Sequence, residues 1–386
     1  MKIMVFEWMA LSQDDLEAGI RTLGYEIETF MYRFSNIYSD AYFSRHFSKT
    51  IEESGCECVI SWNFWPLVAD VCFEKKIPYI AWVYDCPISY NIDRGIRYPT
   101  SHVFMFDKEQ YLQYHAAGAA HVYHMPLAVN TARIDEIIVD EGDKSKFECD
   151  ISFLGTMYDK EYSSIYPLFT DFEAGYFEGI LKTQQNVYGS VTIDKNTLSR
   201  SFVEPIKERW IQQGVLSETT TDEFIKWLRG VLLKEVTKRD RISLLSVFGK
   251  CFDTKYFSYE KHDQIQGAKF SGMLGYKIDM FKLFKSSKIN LNITYRMITK
   301  GISLRALDIM AAGGFLLSNW QEELVEYFEP GVDFVYYDSL EDAYNKAKYY
   351  LTHEDERKEI AQNGHKAVKR FDYQIQLKRV FEEVFE

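Results

Sequence analysis

KGISLRALDIMAAGGFLLSNWQEELVEYFEPG, residues 300–331, is the stretch that decides the fold. Gly301 and Ser303 open a predicted helix that stops at Gly313-Gly314, an apolar strand follows, and a second helix completes an αβα unit typical of a parallel sheet. The first N–H groups of a helix lack backbone partners and carry partial positive charge, to which Lys300 adds a formal charge. This pattern indicates a place suited to a nucleotide diphosphate.

Arg305 and Asp308 lie three residues apart on one face of the predicted helix. Asp308 is one turn inside the helix, where a carboxylate could accept hydrogen bonds from ribose hydroxyls. Alternatively, the two residues form a surface ion pair that contributes a few tenths of a kcal/mol, about 0.2–0.5 kcal/mol. Spacing alone leaves both interpretations open.

The rest of the chain alternates apolar runs with helical patterns. The predicted strands cover 2–8, 56–62, 77–85, 102–107, 121–127, 150–158, 242–250, 286–294 and 314–319. Strands separated by helices of this length predict right-handed crossovers and parallel sheets, and nearly continuous apolar strands predict sheets covered on both faces.

These elements predict an α/β protein with two domains facing a cleft. The predicted N-terminal domain covers 1–140, the predicted C-terminal domain covers 141–371, and a final helix covers 372–386. Aromatic and charged amphipathic helices at about 160–240 are interpreted as a helical insertion in the second domain. Ligands of such sheets bind outside the carboxyl ends of the strands.

Several candidate site residues stand at predicted strand ends. Asp85 could be the general base for an acceptor hydroxyl, or only a cap or turn residue. Gly155 and Thr156 follow a strand, where a glycine lets backbone amides approach an anion and the hydroxyl adds a donor. Asn292, inside an apolar strand, needs a hydrogen-bond partner, which a core group or a ligand could supply.

The composition excludes several classes of function. A formal net charge of −12 argues against nucleic acid as the main partner. No stretch has the roughly 18 uncharged apolar residues of a membrane span. The six cysteines show no CxxC spacing, and no secretory signal is recognised, so we expect a cytoplasmic protein with reduced cysteines. Motifs of metal enzymes, serine hydrolases, P-loop ATPases and dehydrogenases are missing, so no metal site or cofactor is predicted.

Two sets of segments resemble a known family. The runs SSKINLNIT (286–294), SLRALDIMAAGGFLLSN (303–319) and EYFEPGVDFVYY (326–337), continuing to 368, resemble the C-terminal domain of glycosyltransferases of the spore-maturation CgeB type. The runs IPYIAWVYDCP (77–87), VFMFDKE (103–109) and VYHMPLAVN (122–130) resemble their N-terminal domain. Those proteins are two-domain, Rossmann-like GT-B transferases related to glycogen synthase.

The resemblance implies the roles of the 300–308 segment. Lys300, Gly301 and Ser303 correspond to the loop whose amides meet the donor diphosphate, and Asp308 to the acid that binds the nucleotide ribose. Relatives that retain anomeric configuration often carry glutamates at the positions of Lys300 and Asp308. The departure leaves retaining or inverting chemistry open.

The expected function is therefore a metal-independent hexosyltransferase that moves a sugar from a nucleotide-sugar donor, preferably a UDP-sugar, to a glycan, protein or small-molecule acceptor. The donor is expected in the C-terminal domain, contacted by Gly155, Thr156, Asn292, Lys300, Gly301, Ser303, Arg305 and Asp308. The acceptor is expected over the N-terminal domain beside Asp85. Two alternatives are a sugar-nucleotide epimerase of the same fold and a catalytically silent binding or coat-assembly protein.

Overall fold

Strands and helices alternate along residues 1–158 and 160–385, which are the residues that the computed structural model describes. The strands of this part are β1 (Lys2–Glu7), β2 (Glu26–Met31), β3 (Cys58–Trp62), β4 (Tyr79–Val83), β5 (Ser101–Met105), β6 (Val122–His124), β7 (Cys149–Leu154), β8 (Thr254–Phe257), β9 (Lys269–Phe270), β10 (Ser287–Asn292), β11 (Leu316–Asn319) and β12 (Val335–Tyr337).

The α-helices of the same residues are α1 (Gln13–Thr22), α2 (Ala41–Ser54), α3 (Pro66–Lys75), α4 (Lys108–Ala116), α5 (Thr131–Asp135), α6 (Glu141–Phe147), α7 (Glu161–Ile165), α8 (Asp171–Gln185), α9 (Arg200–Gln212), α10 (Thr221–Cys251), α11 (Asp279–Ser286), α12 (Leu304–Ala311), α13 (Glu322–Tyr327), α14 (Leu340–Thr352), α15 (Glu354–Val368) and α16 (Tyr373–Phe385). Short 3-10 helices cover Gly95–Arg97, Tyr166–Leu168 and Lys369–Phe371.

The chain divides into two compact units. Unit 1 comprises Met1–Glu136, Lys300–Ala311 and Lys366–Glu386, and unit 2 comprises Ile137–Thr299 and Ala312–His365. Unit 1 thus includes Lys300–Ala311, which the sequence analysis assigns to the C-terminal domain. The domain limits 1–140, 141–371 and 372–386 stay a prediction. Glu386, the last residue of the predicted final helix, lies outside the described residues.

Unit 1 is built on a six-stranded parallel sheet of order β2-β1-β3-β4-β5-β6. On one face, Phe6 packs against Phe43 and Phe47 of α2. On the other, the buried Trp62 and Trp82 contact Tyr373 of α16. Both faces are therefore covered, which explains why the central strands β3 and β4 are buried along their whole length, whereas the edge strand β2 carries Glu26 and Glu28.

Unit 2 is built on a second six-stranded parallel sheet, of order β12-β11-β10-β7-β8-β9. Its first strand, β7, lies in the middle and pairs with both β8 and β10. This is the doubly wound order of dinucleotide-binding sheets, in which the chain leaves the first strand toward both edges and opens a crevice at the carboxyl ends of the two central strands. The predicted α/β class with two parallel sheets is confirmed.

The predicted strand over 242–250 is wrong, because these residues form the last third of α10. Leu244, Leu245 and Phe248 are buried there, a spacing of three to four residues that fits one helix face and not an alternating strand. In the sequence alone, a short apolar run such as 242–250 fits a strand or a buried helix segment equally well. The strand that follows it is β8, only four residues long.

The region from 160 to 240 is helical as expected, with α7, α8, α9 and the first part of α10. Phe177, Leu181, Trp210 and Leu228 form part of a buried cluster in this region, while the later turns of α10 join the core of the unit 2 sheet through Leu244 and its neighbours. Description of the region as an insertion stays a prediction.

A half-buried histidine in β5, His102, predicts a pH dependence of stability. Burial, with a smaller contribution from His121, lowers the pKa of His102 to about 4. As the pH falls below about 6.5, His102 of the unfolded chain binds a proton, whereas His102 of the folded chain stays neutral. The stability that neutral His102 contributes is therefore complete above pH 6.5 and is lost as the pH falls toward 4.

Because His102 is partly exposed, we expect about 1–2 kcal/mol between these pH values. Urea unfolding of the wild type and of His102→Gln at pH 7 and pH 4.5 measures it. The wild type should lose more stability than the variant, and equal losses would contradict the prediction.

Candidate active site

The carboxyl edge of the unit 1 sheet holds Asp85 in place through Asn63. Asn63 follows β3 with a φ of 59°, a left-handed conformation that asparagine tolerates better than most residues. Its Oδ1 accepts hydrogen bonds from the Tyr84 and Asp85 amides at 2.8 and 3.0 Å, and its Nδ2 donates to Asp85 Oδ2 at 2.8 Å. One side chain therefore fixes both the backbone and the carboxylate that follow β4.

The Asp85 side chain is solvent-accessible at this edge although its carboxyl group is partly desolvated. Desolvation raises the pKa of Asp85, and the hydrogen bond from Asn63 opposes that rise. The acid thus combines an accessible position with a weakened preference for the charged form, which is the environment expected of a general base. The sequence did not point to Asn63, whose only signal is an asparagine immediately after an apolar strand.

Asp107, which follows β5, anchors the 300–301 segment in unit 1. Its Oδ1 accepts from the Gln110 amide at 3.0 Å and so caps α4, while its Oδ2 accepts from the Lys300 and Gly301 amides, both at 3.0 Å. Asp107 is only 2% exposed. The two amides that the resemblance assigns to a donor diphosphate are already engaged, and a diphosphate would have to compete with a buried carboxylate for them.

Gly301 lies too close to the end of β5 for any other residue. A Cβ at this position would lie 2.8 Å from the Phe106 carbonyl oxygen and 2.9 Å from Asp107 Cα. Since both atoms belong to the backbone, Gly301→Ala is expected to cost about 1–3 kcal/mol. Urea unfolding checks this, with Gly275→Ala as the control because open space surrounds that glycine. Equal stability of the two variants would contradict the close contact.

Arg305 and Asp308 do form an ion pair, but not on the surface. Arg305 Nη1 lies 3.7 Å from Asp308 Oδ2, and the Asp308 side chain is only 2% exposed. Burial and then the nearby Asp308 raise the pKa of Tyr84, which Arg305 partly offsets. Asp308 is therefore a buried acid near Tyr84, and Ser303, directly before α12, is also buried.

Gly155, Thr156 and Asn292 come together at the crevice of the unit 2 sheet. Gly155 and Thr156 follow β7, and Asn292 ends β10, which pairs with β7 in parallel register. Thr156 is exposed, whereas Asn292 is 3% exposed and its Nδ2 donates to Thr294 Oγ1 at 3.0 Å and to Ser318 Oγ at 2.9 Å. Asn292 thus has core partners, as one of the two sequence interpretations expected.

Arg241 of α10 is a cation at the same crevice that the sequence analysis missed. Its Nη1 donates to the Thr156 carbonyl oxygen and its Nη2 to the Ile293 carbonyl oxygen at 2.8 Å, so it joins the ends of β7 and β10. Its Nε is buried without a hydrogen-bond partner, and no carboxylate of the described residues forms an ion pair with it. Desolvation lowers the pKa of Arg241, which is the cost that a bound anion would relieve.

The predicted donor residues consequently fall into two groups. Gly155, Thr156 and Asn292 belong to unit 2, while unit 1 holds Lys300, Gly301, Ser303, Arg305 and Asp308 together with Asp85. Arg241 directly precedes the run 242–250 that was taken for a strand, so its place on a continuous helix was not predicted.

Two features are absent from the described residues. No group of three or more histidine, cysteine, aspartate and glutamate side chains in residues 1–158 and 160–385 is arranged to hold a metal ion. Among the helices of the same residues, none has both the length and the apolar composition needed to cross a bilayer.

Comparison with known folds identifies the architecture. The HepE protein of Anabaena in complex with UDP superposes with a TM-score of 0.56 at 11% identity, covering 99% of both chains. Sucrose-phosphate synthase of Thermosynechococcus elongatus gives a TM-score of 0.53 at 11% identity, over 100% of this chain and 99% of the other. The chain has the GT-B fold. A glycosyltransferase of Rickettsia africae shares this GT-B likeness, with a TM-score of 0.53 at 10% identity over 100% and 99% of the two chains.

Sequence comparison adds a domain match within the GT-B fold. Residues 226–382 match the family described as Glycosyl transferase-like, a stretch that spans less than half of the chain. It includes Arg241, Asn292 and the whole 300–308 segment. No curated protein matches the chain by sequence, and the relation to the CgeB type stays a prediction.

Proposed function

We propose that the protein is a hexosyltransferase that takes a sugar from a UDP-sugar without the help of a metal ion. The observation that carries the proposal is the crevice of the unit 2 sheet, where Gly155, Thr156 and the buried Arg241 meet at the ends of β7 and β10. The GT-B fold, the glycosyl transferase-like match over 226–382 and the UDP bound by HepE support it.

In the proposed reaction, the crevice stabilises the diphosphate that leaves the sugar. Charge develops on the phosphate oxygens as the glycosidic bond to the donor breaks. A guanidinium that is already desolvated and held by two carbonyl groups needs no reorganisation to meet that charge. The Gly155 amide donates to the Phe257 carbonyl oxygen at 3.0 Å, and the Phe153 ring lies where a Cβ of residue 155 would be. The donor that this turn offers to an anion is therefore the hydroxyl of the exposed Thr156.

The acceptor side of the proposal rests on Asp85. In an inverting reaction a base must remove the proton of the acceptor hydroxyl as it attacks the anomeric carbon, and the accessible Asp85 carboxylate is the base that we propose. A retaining reaction needs no such base. The anomeric configuration of the product, read by proton NMR, decides between them.

The donor nucleotide is proposed to contact the segment 300–308 as well, through Lys300, Ser303, Arg305 and Asp308. Asp308 is assigned to the ribose. Asp308→Ala should then weaken UDP binding, and thermal unfolding of the variant should be measured beside it because the Asp308 side chain is buried. A catalytically silent protein remains the alternative, favoured by Lys300 at a position where relatives often carry glutamate and by the engagement of the neighbouring amides with Asp107. Donor turnover that Asp308→Ala abolishes would exclude it.

Titration calorimetry with UDP, GDP, dTDP and ADP, in the presence of EDTA, tests the donor site. We expect UDP to bind, and Arg241→Met to weaken UDP about 10- to 100-fold, since a charge-assisted contact contributes about 1.5–3 kcal/mol.

Arg229→Met is the matched control, because Arg229 lies on the same helix and also donates to a carbonyl oxygen, that of Ile193 at 2.9 Å, but belongs to the helical region. Failure of all four nucleotides to bind the wild type would overturn the proposal. Product formed from the donor without an acceptor would indicate the epimerase instead.

A further inference from the structure

Three aromatic side chains form a platform at the carboxyl edge of the unit 1 sheet. Trp8 directly follows β1, Trp65 comes three residues after β3, and Tyr90 lies in the loop after β4. The Trp8 and Trp65 rings meet edge to face with centroids 5.6 Å apart, and the Trp65 and Tyr90 rings stack at 6.0 Å. All three side chains are half-buried, so each presents part of a ring to solvent.

The polar end of every ring of the platform is tied to the backbone beneath it. Trp8 Nε1 and Trp65 Nε1 both donate to the Trp62 carbonyl oxygen at 3.0 Å, and the Tyr90 hydroxyl donates to the Phe64 carbonyl oxygen at 2.6 Å. With their donors turned inward, the rings offer apolar surface and little hydrogen bonding. Their positions are fixed in advance, which lowers the entropy that a ligand must overcome.

The platform and Asp85 share one support. Asn63, the residue between the two carbonyl groups that hold the rings, also binds the Asp85 carboxylate. Tyr90 and Asp85 are close enough for the carboxylate to raise the pKa of the tyrosine, after burial, which is the larger cause. A carboxylate acceptor thus lies beside an apolar surface made of inclined rings, and hydrogen bonds hold both in place.

Aromatic surface with a few fixed polar groups beside it suits a sugar ring, whose C–H face packs on an aromatic ring while its hydroxyls donate to carboxylates. A nucleobase would also stack, but its phosphates need a positive groove. Burial and then the charges of Glu17 and Asp14 raise the pKa of Glu7, the residue before Trp8, while Arg33 contacts Met9, the residue after it. With Asp85 at the same sheet edge, carboxylates outnumber this cation, so an anionic ligand is disfavoured.

We infer that Trp8, Trp65 and Tyr90 bind the acceptor, and that the acceptor is a saccharide with an uncharged sugar ring at its reacting end. That the bound sugar acts as an acceptor rests on the proposed transferase function. Binding of a neutral sugar ring to the platform does not depend on that function. It selects the glycan among the three acceptor classes that the sequence left open.

The test uses the full chain, with para-nitrophenyl glucoside, galactoside and N-acetylglucosaminide as neutral probes and the glucuronide as the anionic one. Binding is read from quenching of tryptophan fluorescence, and transfer from the acceptor KM with a UDP-sugar. We expect Trp8→Ala to raise the Kd and the acceptor KM about tenfold, with the donor KM unchanged. Trp8→Phe, which keeps a ring, should recover most of the loss.

Controls separate this inference from the proposed function and from misfolding. Trp227→Ala removes a tryptophan that is 42% exposed in unit 2 and should change neither constant. Tyr90→Ala is the second platform variant in case Trp8→Ala fails to fold, and it should raise the same two constants. If UDP binds but the neutral glycosides do not, or if the glucuronide binds best, the inference falls and the transferase proposal stands. If UDP fails to bind while Trp8→Ala abolishes glycoside binding, the platform stands and the transferase falls.

Discussion

Replacing Asp240 by alanine is expected to lower the free energy of unfolding by about 3–5 kcal/mol. Asp240 Oδ2 accepts from Arg296 Nε at 2.7 Å, and the two side chains are only 4% and 7% exposed. Burial raises the pKa of Asp240, and the charge of Arg296 opposes that rise. Without the carboxylate, Arg296 would keep the Val187 carbonyl oxygen as a hydrogen-bond acceptor and the Tyr188 ring beneath it, but its charge would be uncompensated in the interior of unit 2.

A double-mutant cycle measured by urea unfolding tests this account. Arg296→Met in the Asp240→Ala background should recover part of the loss, because it removes the uncompensated charge and leaves an apolar stem of similar length. Asp240→Asn should cost less than Asp240→Ala, since an amide oxygen can still accept from Arg296. A double variant less stable than Asp240→Ala would show that packing, and not charge, makes the pair important.

The α/β class follows from the sequence for a definite reason. Strands buried on both faces must be apolar throughout, so β1, β3, β4 and β5 stand out between helices whose period is different. The same reasoning fails at 242–250, where a short apolar run belongs to the buried face of α10. The turns before it were assigned to the helical region at about 160–240, and α10 continues from them into the apolar run without a break.

The candidate site is less accessible to sequence reasoning, because its parts are held by contacts between distant residues. The position of Asp85 at a strand end is predictable, but Asn63, which orients it, is 22 residues away and acts through its left-handed backbone. The contact of Asp107 with Gly301 spans 194 residues. Gly301 looks like an anion-loop glycine in the sequence, whereas its neighbours show that close packing against β5 also requires a glycine.

The sequence cannot show which charged side chain lacks an ion-pair partner among the described residues, and here that side chain is Arg241. Arg239, Asp240 and Arg241 are consecutive, and the simplest interpretation pairs the aspartate with a neighbour. In the structure Asp240 pairs with Arg296 and Arg239 with Glu178 at 2.8 Å, so Arg241 retains its charge at the crevice. We assign Arg241 to the donor diphosphate because the neighbouring charged residues pair elsewhere, and not because a sequence motif marks it.

Asp85→Asn is expected to lower kcat about 10²- to 10⁴-fold while leaving the affinity for UDP unchanged. The asparagine matches aspartate in shape and keeps an oxygen that can accept the bond from Asn63 Nδ2, so the edge of the sheet should retain its geometry and only the base is lost. In the wild type, kcat/KM should fall as the acid protonates, and because desolvation raises the pKa of Asp85, this decline should begin at a higher pH than for an ordinary aspartate. Asp93→Asn, an exposed acid eight residues further on, serves as the matched control and should keep the wild-type pH profile. A product of retained anomeric configuration, formed by Asp85→Asn at the wild-type rate, would remove Asp85 from the chemistry and leave it a residue that only positions the loop after β4.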